Sequence, residues 1–159
     1  RRPFQPAGRR IVAGRESGPF EPNSWMNGLL IIRGTHMTLE STASLKSRRD
    51  IVGLLQAGPW LIRQGVVEPN LETGRLASRT FICHDDRGIW TIGTSGPCSL
   101  QELATLLTHP AVSIAIDIRQ AVNLDGGPSS GFWVKRSADN FYVREDWPVQ
   151  NYIGVVARQ

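Results

Sequence analysis

The stretch RTFICHDDRGIWTIGT, residues 79–94, is the clearest structural signal in this sequence. Two runs rich in apolar, β-branched and aromatic residues, Arg79 to His84 and Ile89 to Thr94, flank a short polar segment. That segment, Asp85 to Gly88, has the composition of a turn and ends on a glycine where a left-handed backbone is needed. The stretch therefore predicts a β-hairpin.

The residues that follow the hairpin predict a helix. Ser99 and Glu102 have the spacing of a capping box, in which a hydroxyl and a carboxylate three residues apart bind backbone N–H groups at a helix start. Apolar residues then recur at the spacing of one helix face: Leu100, Leu103, Ala104 and Leu107. Pro110 predicts the end of this helix, since the residue before a proline avoids the helical conformation.

Apolar runs elsewhere in the chain predict short strands. In chain order they are residues 28–33, 51–55, 60–63, 66–67, 112–118, 121–124, 132–135 and 152–156. The polar residues 38–50 predict a surface loop or a short helix, and residues 1–24 predict a basic irregular arm. We therefore expect an α+β fold: a single domain over residues 25–159 with a mixed β-sheet and one or a few short helices.

Composition limits the functional classes. The 159 residues are 40% apolar and 20% charged, which is enough to bury a core without a metal or a disulfide. No run of about 18 apolar residues occurs, so no membrane span is predicted. The net charge of +4 favours anionic ligands. Five arginines within residues 1–15 are accompanied by a single aromatic residue, which predicts a mobile arm rather than a nucleic-acid surface.

The two cysteines, Cys83 and Cys98, do not have the spacing of zinc ligands. The predicted hairpin places Cys83 near Trp90, which argues against a local disulfide to Cys98. One disulfide in an exported protein and two free thiols both stay open.

The stretch NLDGGPSS, residues 123–130, is the candidate functional loop. Strand alternation predicts that Asn123 and Asp125 leave the sheet on the same face. Consecutive glycines permit a backbone nest whose amides bind an anion. The residues that would supply amide and hydroxyl donors to that nest are Gly126, Gly127, Ser129 and Ser130. Taken alone, an Asp-Gly pair is also a common hairpin turn, and the residues leave both interpretations open.

The same stretch resembles the NLDGGGSS signature of the phosphodiester glycosidase family, with Pro128 in place of the third glycine. Three further segments resemble family segments in the same order: QAGPWLIRQG at 56–65, RTFI at 79–82 and SLQELA at 99–104. The family's opening I-N-G-G-[FY]-F loop has no counterpart here. The resemblance therefore implies a domain without the family's first strand and loop, completed by an upstream segment or a second chain.

The resemblance implies a hydrolase that cleaves the glycosidic C–O bond of a sugar-1-phosphate diester, releasing a free sugar and a phosphate monoester. Asp125 is then the reacting carboxylate. Arg79 is the phosphate clamp, because a guanidinium pairs with phosphate in a bidentate manner. The residues expected to bind substrate are Asn123, Gly126, Gly127, Ser129, Ser130, Gln56, Gly58 and Trp133. No cofactor or metal is expected.

Two other functions stay open. One is a non-catalytic glycan- or phosphate-binding module on the same fold, which Pro128 and the missing loop favour. The other is an adaptor for anionic polymers that uses the basic arm at residues 1–15. Because many members of the family are bacterial envelope proteins, the resemblance also implies export, with a sugar phosphate or glycan as partner and no nucleic acid.

Overall fold

Short strands dominate the fold. A computed structural model describes residues 7–113, 116–149 and 152–157, without the side chain of Ser113. The strands are β1 Arg10–Val12, β2 Arg15–Ser17, β3 Gly28–Arg33, β4 His36–Ser41, β5 Ile51–Ala57, β6 Trp60–Arg63, β7 Val66–Val67, β8 Ala77–His84, β9 Trp90–Cys98, β10 Gln120–Gly126, β11 Phe132–Val134 and β12 Phe141–Val143. The helices are α1 Leu100–Leu107 and α2 Pro110–Ser113, and 3-10 turns cover Thr42–Ser44 and Gly127–Ser129.

Two five-stranded sheets and one separate hairpin contain these strands. The first sheet has the order β2-β1-β5-β3-β4 and the second β7-β6-β10-β8-β9, while β11 and β12 pair with each other. Each strand pair within the described residues is antiparallel. The predicted small domain with few short helices is confirmed. The predicted mixed sheet is wrong, since most connections here are too short for the crossover that parallel strands require.

The two sheets pack face to face around one apolar cluster. Its buried members are Leu30, Leu39 and Ala57 from the first sheet and Trp60, Ile82 and Val122 from the second. The sheets approach closely at Gly28, where an added Cβ would lie 2.9 Å from Cγ1 of Val122. Burial of these side chains fixes the position of β10, and β10 leads directly into the candidate loop.

Helix α1 covers the opposite face of the second sheet. Its apolar face packs on Leu61, Phe81, Cys83 and Ala121. The capping box is formed: the Ser99 hydroxyl accepts the Glu102 N–H at 3.1 Å, and the Glu102 carboxylate accepts the Ser99 N–H at 2.8 Å. The predicted helix is confirmed: it begins after the N-cap Ser99 and ends at Leu107, before Pro110.

The predicted hairpin is formed by β8 and β9. In its turn, Oδ1 of Asp85 accepts the N–H groups of Arg87 and Ile89, both at 2.8 Å. His84 lies opposite Trp90, and the two rings stack with centroids 4.3 Å apart. Cys83 is therefore one residue away from the position opposite Trp90, and both cysteines are free thiols.

Three predicted segments before residue 119 differ from the structure. The basic arm at 1–24 was predicted to be irregular, but β1 and β2 form a hairpin within it and β1 pairs with β5. The segment 38–50 begins with most of β4 rather than with a loop or helix. The segment 112–118 was predicted as a strand, but α2 covers residues 110–113 and residues 116–118 form no strand. Proline is favoured in the first turn of a helix, so Pro110 starts α2 as well as ending α1.

The C-terminal segment 152–156 was also predicted as a strand. It forms none, and Tyr152, Val155 and Val156 are 89%, 81% and 88% exposed. An apolar run becomes a strand only where a sheet edge receives it. Residues 1–6, 114–115, 150–151 and 158–159 lie outside the described residues. Among the described residues, no helix has both the length and the apolar character to cross a membrane.

Candidate functional site

A bulge in β10 determines on which face of the sheet Asn123 and Asp125 lie. Asn123 lies opposite Phe81 of β8, but Asp125 lies opposite Thr80, so β10 advances two residues where β8 advances one. Residues directly opposite each other in a ladder share a face, and Phe81 and Thr80 are neighbours on one strand. Asn123 and Asp125 therefore lie on opposite faces of the sheet, and the prediction that they share a face is wrong.

The carboxylate of Asp125 is exposed and is oriented by its own loop. Its Oδ1 accepts the N–H of Gly126 at 2.7 Å, and its Oδ2 accepts the hydroxyl of Ser129 at 2.7 Å. Each oxygen receives one donor, which leaves lone pairs directed to solvent. The loop therefore presents a carboxylate with a fixed direction at the end of a buried strand.

Both hydrogen-bond donors of Ser130 also bind acceptors within the protein. The N–H of Ser130 binds the carbonyl of Gly127 at 3.0 Å, and its buried hydroxyl binds the carbonyl of Ser78 at 3.3 Å. Gly127 has φ +72°, a left-handed conformation that favours glycine. The Gly126 N–H, the Ser129 hydroxyl and both donors of Ser130 thus bind acceptors within the protein, and the turn that they stabilise holds the carboxylate of Asp125.

Arg79 lies beside this turn and is 6% exposed. Its Nε donates to the carbonyl of Cys98 at 3.0 Å, and its Nη2 donates to the carbonyl of Arg75 at 2.7 Å and to Glu72 at 3.2 Å. Gly126 is opposite Arg79 in the ladder, and a Cβ at Gly126 would lie 3.7 Å from Nη1 of Arg79. Three bonds fix the guanidinium, with its Nη1 edge next to the glycine.

Asn123 ties β10 to the corner between β5 and β6. Its Nδ2 donates to the carbonyl of Gly58 at 3.0 Å, and its backbone N–H donates to the carbonyl of Pro59 at 3.0 Å. Its buried Oδ1 has no hydrogen-bond partner among the described residues. Gly58 has φ +155°, and a Cβ there would lie 2.3 Å from the carbonyl oxygen of Trp25. Asn123 and Gly58 therefore fix the backbone at the corner between β5 and β6.

Gln56 is 3% exposed and joins the N-terminal segment to the first sheet. Its Oε1 accepts the N–H groups of Arg9 and Glu21, at 3.1 and 3.4 Å. Its Nε2 donates to the carbonyls of Glu21 and Met26, both at 2.8 Å. All of these partners lie in residues 9–26, so the polar groups of Gln56 hold the N-terminal segment against β5.

The family model of the phosphodiester glycosidases matches residues 3–156, almost the whole chain. This chain belongs to the phosphodiester glycosidase family. A similar fold occurs in the solved catalytic domain of zebrafish N-acetylglucosamine-1-phosphodiester alpha-N-acetylglucosaminidase, auto-inhibited by its pro-peptide. The TM-score is 0.55 and the sequence identity 19%, over 78% of this chain and 47% of that chain. A search of curated protein sequences found no match.

This phosphodiester glycosidase domain has a second arginine at the loop that the sequence did not indicate. A Cβ at Gly127 would lie 3.8 Å from Nη2 of Arg75, which is exposed. The Arg75 N–H donates to Oε1 of Glu72, whose Oε2 accepts from Arg79. The Arg75 N–H lowers the pKa of Glu72 most, and Arg79 lowers it further. The only sequence signal is the i, i+3 spacing of Glu72 and Arg75 in an irregular segment.

The candidate loop of this phosphodiester glycosidase domain contacts the residues that follow β12 through Pro128. The carbonyl of Pro128 accepts the N–H groups of Asp146 and Trp147, at 2.8 and 2.9 Å. Trp133, a predicted substrate residue, is 57% exposed on β11 and lies opposite Tyr142 of β12. The structure thus presents an exposed aromatic pair on a hairpin that begins two residues after the loop.

Glu145 supplies a second carboxylate in this family domain. It lies beside Gly131, the residue that follows the candidate loop. A Cβ at Gly131 would lie 2.9 Å from Oε2 of Glu145. The backbone N–H of Glu145 lowers its pKa most, followed by the Tyr142 hydroxyl at 3.0 Å. Within the described ranges, no three His, Cys, Asp or Glu side chains are grouped as metal ligands would be.

Proposed function

We propose that this domain hydrolyses the glycosidic C–O bond of a sugar-1-phosphate diester, with Asp125 as the reacting carboxylate. The observation that carries this proposal is the exposed carboxylate of Asp125, oriented by Gly126 and Ser129 within the signature loop of the family. Since the chain spans 47% of the similar solved chain, the activity is proposed for the domain in the context of its full-length protein.

The reaction needs a carboxylate more than it needs a strong acid. A water oxygen forms a bond to the anomeric carbon, and the bond from that carbon to the phosphate oxygen breaks. The electron pair leaves with the phosphate monoester, while the proton of the water passes to a base. Because the leaving group is a stable anion, stabilisation of the oxocarbenium-like transition state dominates the barrier.

Asp125 can meet this need in two ways, which the product distinguishes. As a nucleophile it forms a glycosyl ester that water then hydrolyses, and the anomeric configuration is retained. As a base it takes the proton of the attacking water, and the configuration inverts. In either case its two loop hydrogen bonds keep the carboxylate in one orientation and lower the entropy cost of reaching the transition state.

The predicted substrate residues divide into two groups by their contacts. We assign substrate contact to Asp125, to the Nη1 edge of Arg79 and to the exposed face of Trp133. Positioning of the loop is assigned to the residues whose polar groups bind within the protein: Gln56, Gly58, Asn123, Gly126, Gly127, Ser129 and Ser130. Export, and completion of the domain by an upstream segment or second chain, stay predictions.

The test is release of sugar from a panel of sugar-1-phosphate diesters by the full-length protein. We expect wild-type turnover, and we expect Asp125→Asn to lower kcat by about a hundredfold to ten-thousandfold. Asp139→Asn, an exposed aspartate on the β11–β12 loop, is the matched control and keeps wild-type activity. If the wild type releases no sugar while Asp125→Asn binds the diesters as well as the wild type does, the domain is a non-catalytic binding module.

A further inference from the structure

Two guanidinium groups flank the two consecutive glycines of the loop. Nη1 of Arg79 lies 3.7 Å from the position that a Cβ would take on Gly126. Nη2 of Arg75 lies 3.8 Å from the corresponding position on Gly127. Both cations therefore lie next to the turn that also holds Asp125. The loop thus has a positively charged side, and its carboxylate comes from the same turn.

Glu72 joins the two arginines. Its Oε1 binds the backbone N–H of Arg75, and its Oε2 forms an ion pair with Arg79 at 3.2 Å. The carbonyl of Arg75 in turn accepts Nη2 of Arg79 at 2.7 Å. The carboxylate of Glu72 compensates the charge of the buried Arg79. It also fixes the backbone from which the Arg75 side chain extends.

The two cations differ in how much of each is free to bind a ligand. Arg79 is buried, and its Nε and Nη2 are bound inside the protein. Arg75 is exposed, and within the part of the chain that the structure describes its guanidinium takes part in no ion pair or hydrogen bond. An exposed guanidinium retains its full set of donors for the oxygens of a phosphate.

The loop itself has few free donors for an anion. The Gly126 N–H and the Ser129 hydroxyl bind Asp125, and the Ser130 N–H and hydroxyl bind carbonyls. Pro128 has no N–H. A phosphate at this loop would also lie near the negative charge of Asp125, so a side-chain cation is needed to make binding favourable.

We propose that Arg75 binds the phosphate of the substrate and makes the site selective for anionic sugar phosphodiesters over neutral glycosides. Glu72 is the positioning residue that directs Arg75 to the loop. The expected effect of Arg75 on hydrolysis rests on the proposed function. Binding of phosphate by Arg75 does not require turnover and can be measured separately. Arg75→Lys retains charge but loses the planar fork, so it is expected to restore only part of the affinity.

The experiment measures binding of inorganic phosphate to the full-length protein by isothermal titration calorimetry, at two salt concentrations. We expect Arg75→Gln to weaken binding by about tenfold to a hundredfold, as loss of a charge-assisted hydrogen bond does. Its affinity should also depend less on salt. Arg49→Gln, an exposed arginine before β5, is the matched control and binds phosphate like the wild type. Equal phosphate affinity in Arg75→Gln and the wild type overturns the proposal.

Glu72 variants test positioning separately from charge. If Glu72 acts by placing Arg75, Glu72→Ala lowers phosphate affinity in protein that is still folded by circular dichroism, and Glu72→Gln restores that affinity because an amide oxygen still accepts the Arg75 N–H. Both variants should melt at a lower temperature than the wild type, because the buried Arg79 loses its counter-charge. If Glu72 acts only by its negative charge, both variants bind phosphate more tightly than the wild type, and the positioning role is wrong.

Steady-state kinetics separates this inference from the proposed function. With sugar-1-phosphate diesters we expect Arg75→Gln to raise KM at least tenfold, while any hydrolysis of neutral aryl glycosides keeps its wild-type KM. If the wild type binds phosphate through Arg75 but hydrolyses no diester, the proposed function fails and the phosphate site stands. If the wild type hydrolyses diesters and Arg75→Gln has the same KM, the inference about Arg75 fails alone.

Discussion

The side-chain amide of Asn123 donates a hydrogen bond of 3.0 Å to the carbonyl oxygen of Gly58, and this bond joins β10 to the corner between β5 and β6. Asn123→Asp replaces the donor with a second acceptor, so a buried carboxylate would face a carbonyl oxygen. We expect a loss of about 2 kcal/mol or more in the free energy of unfolding at pH 7, measured by urea denaturation.

The pH dependence of that variant identifies the cause. Burial raises the pKa of the introduced carboxyl in the folded state, so its protonated form is favoured and can donate to Gly58. A raised folded pKa gives stability that is present at low pH and lost as the pH rises. The deficit relative to wild type should therefore shrink as the pH falls toward 4. A deficit that is constant from pH 7 to pH 4 would contradict this explanation.

Gly126 lies too close to the neighbouring strand β8 to accept a side chain. Its φ of −161° is ordinary extended backbone, but a Cβ there would lie 2.8 Å from the carbonyl oxygen of Ser78. We expect Gly126→Ala to reduce the free energy of unfolding by about 1–3 kcal/mol, as overpacking does. It should also displace the loop that holds Asp125. Urea denaturation and sugar-release assays measure the two effects.

Gly96→Ala is the matched control for this steric effect. Gly96 lies in β9, and an added Cβ there would meet nothing within 4 Å. The control should stay within about 0.5 kcal/mol of wild type, as surface substitutions usually do. If Gly126→Ala is as stable and as active as Gly96→Ala, the close approach to Ser78 does not constrain the loop.

Features with short-range causes could be predicted from the sequence. The β8–β9 hairpin follows from one turn, and α1 follows from the Ser99 and Glu102 capping box with four apolar residues behind it. The signature loop could be recognised because its residues are contiguous. In each case the residues that determine the feature form one contiguous stretch: 79–94 for the hairpin, 99–107 for the helix and 123–130 for the loop.

Features with long-range causes could not be predicted. The bulge that separates Asn123 and Asp125 depends on how β10 pairs with β8 more than forty residues earlier. Gln56 pairs with residues 9–26 across a similar distance, so an arm with irregular composition contains a strand. Arg75 reaches the loop only through tertiary packing. Sequence periodicity contains no information on these pairings, because the partner that decides each one lies elsewhere in the chain.

The two cysteines should differ in reactivity. Burial raises the pKa of Cys83 to about 12, so its thiol is protonated and inaccessible at pH 8, whereas Cys98 is only half-buried. We expect iodoacetamide to modify one thiol per folded chain at pH 8, at Cys98, and both in denaturant. Peptide mass mapping measures this. Cys83→Ser should leave the folded-state stoichiometry at one, and labelling of Cys83 in the folded protein would contradict its burial.

The capping box of α1 should account for part of the acid sensitivity of the fold. The Ser99 N–H lowers the pKa of Glu102 most and the Ser99 hydroxyl adds to it. A lowered folded pKa gives stability that is present above the ordinary value of 4.5 and is lost as the pH falls through the folded pKa. Glu102→Gln cannot titrate, so we expect its stability deficit at pH 7 to shrink by pH 3.

Ser99→Ala removes the other half of the box. It should cost about 1 kcal/mol at pH 7, since the helix loses its N-cap acceptor. With one of its two donors gone, Glu102 should also titrate closer to its ordinary pKa, which NMR measures directly. Because α1 packs on Phe81 and Ala121, weakening it loosens the sheet face on which β8 and β10 pair. If Glu102 titrates in Ser99→Ala as it does in wild type, the Ser99 hydroxyl does not contribute to its pKa.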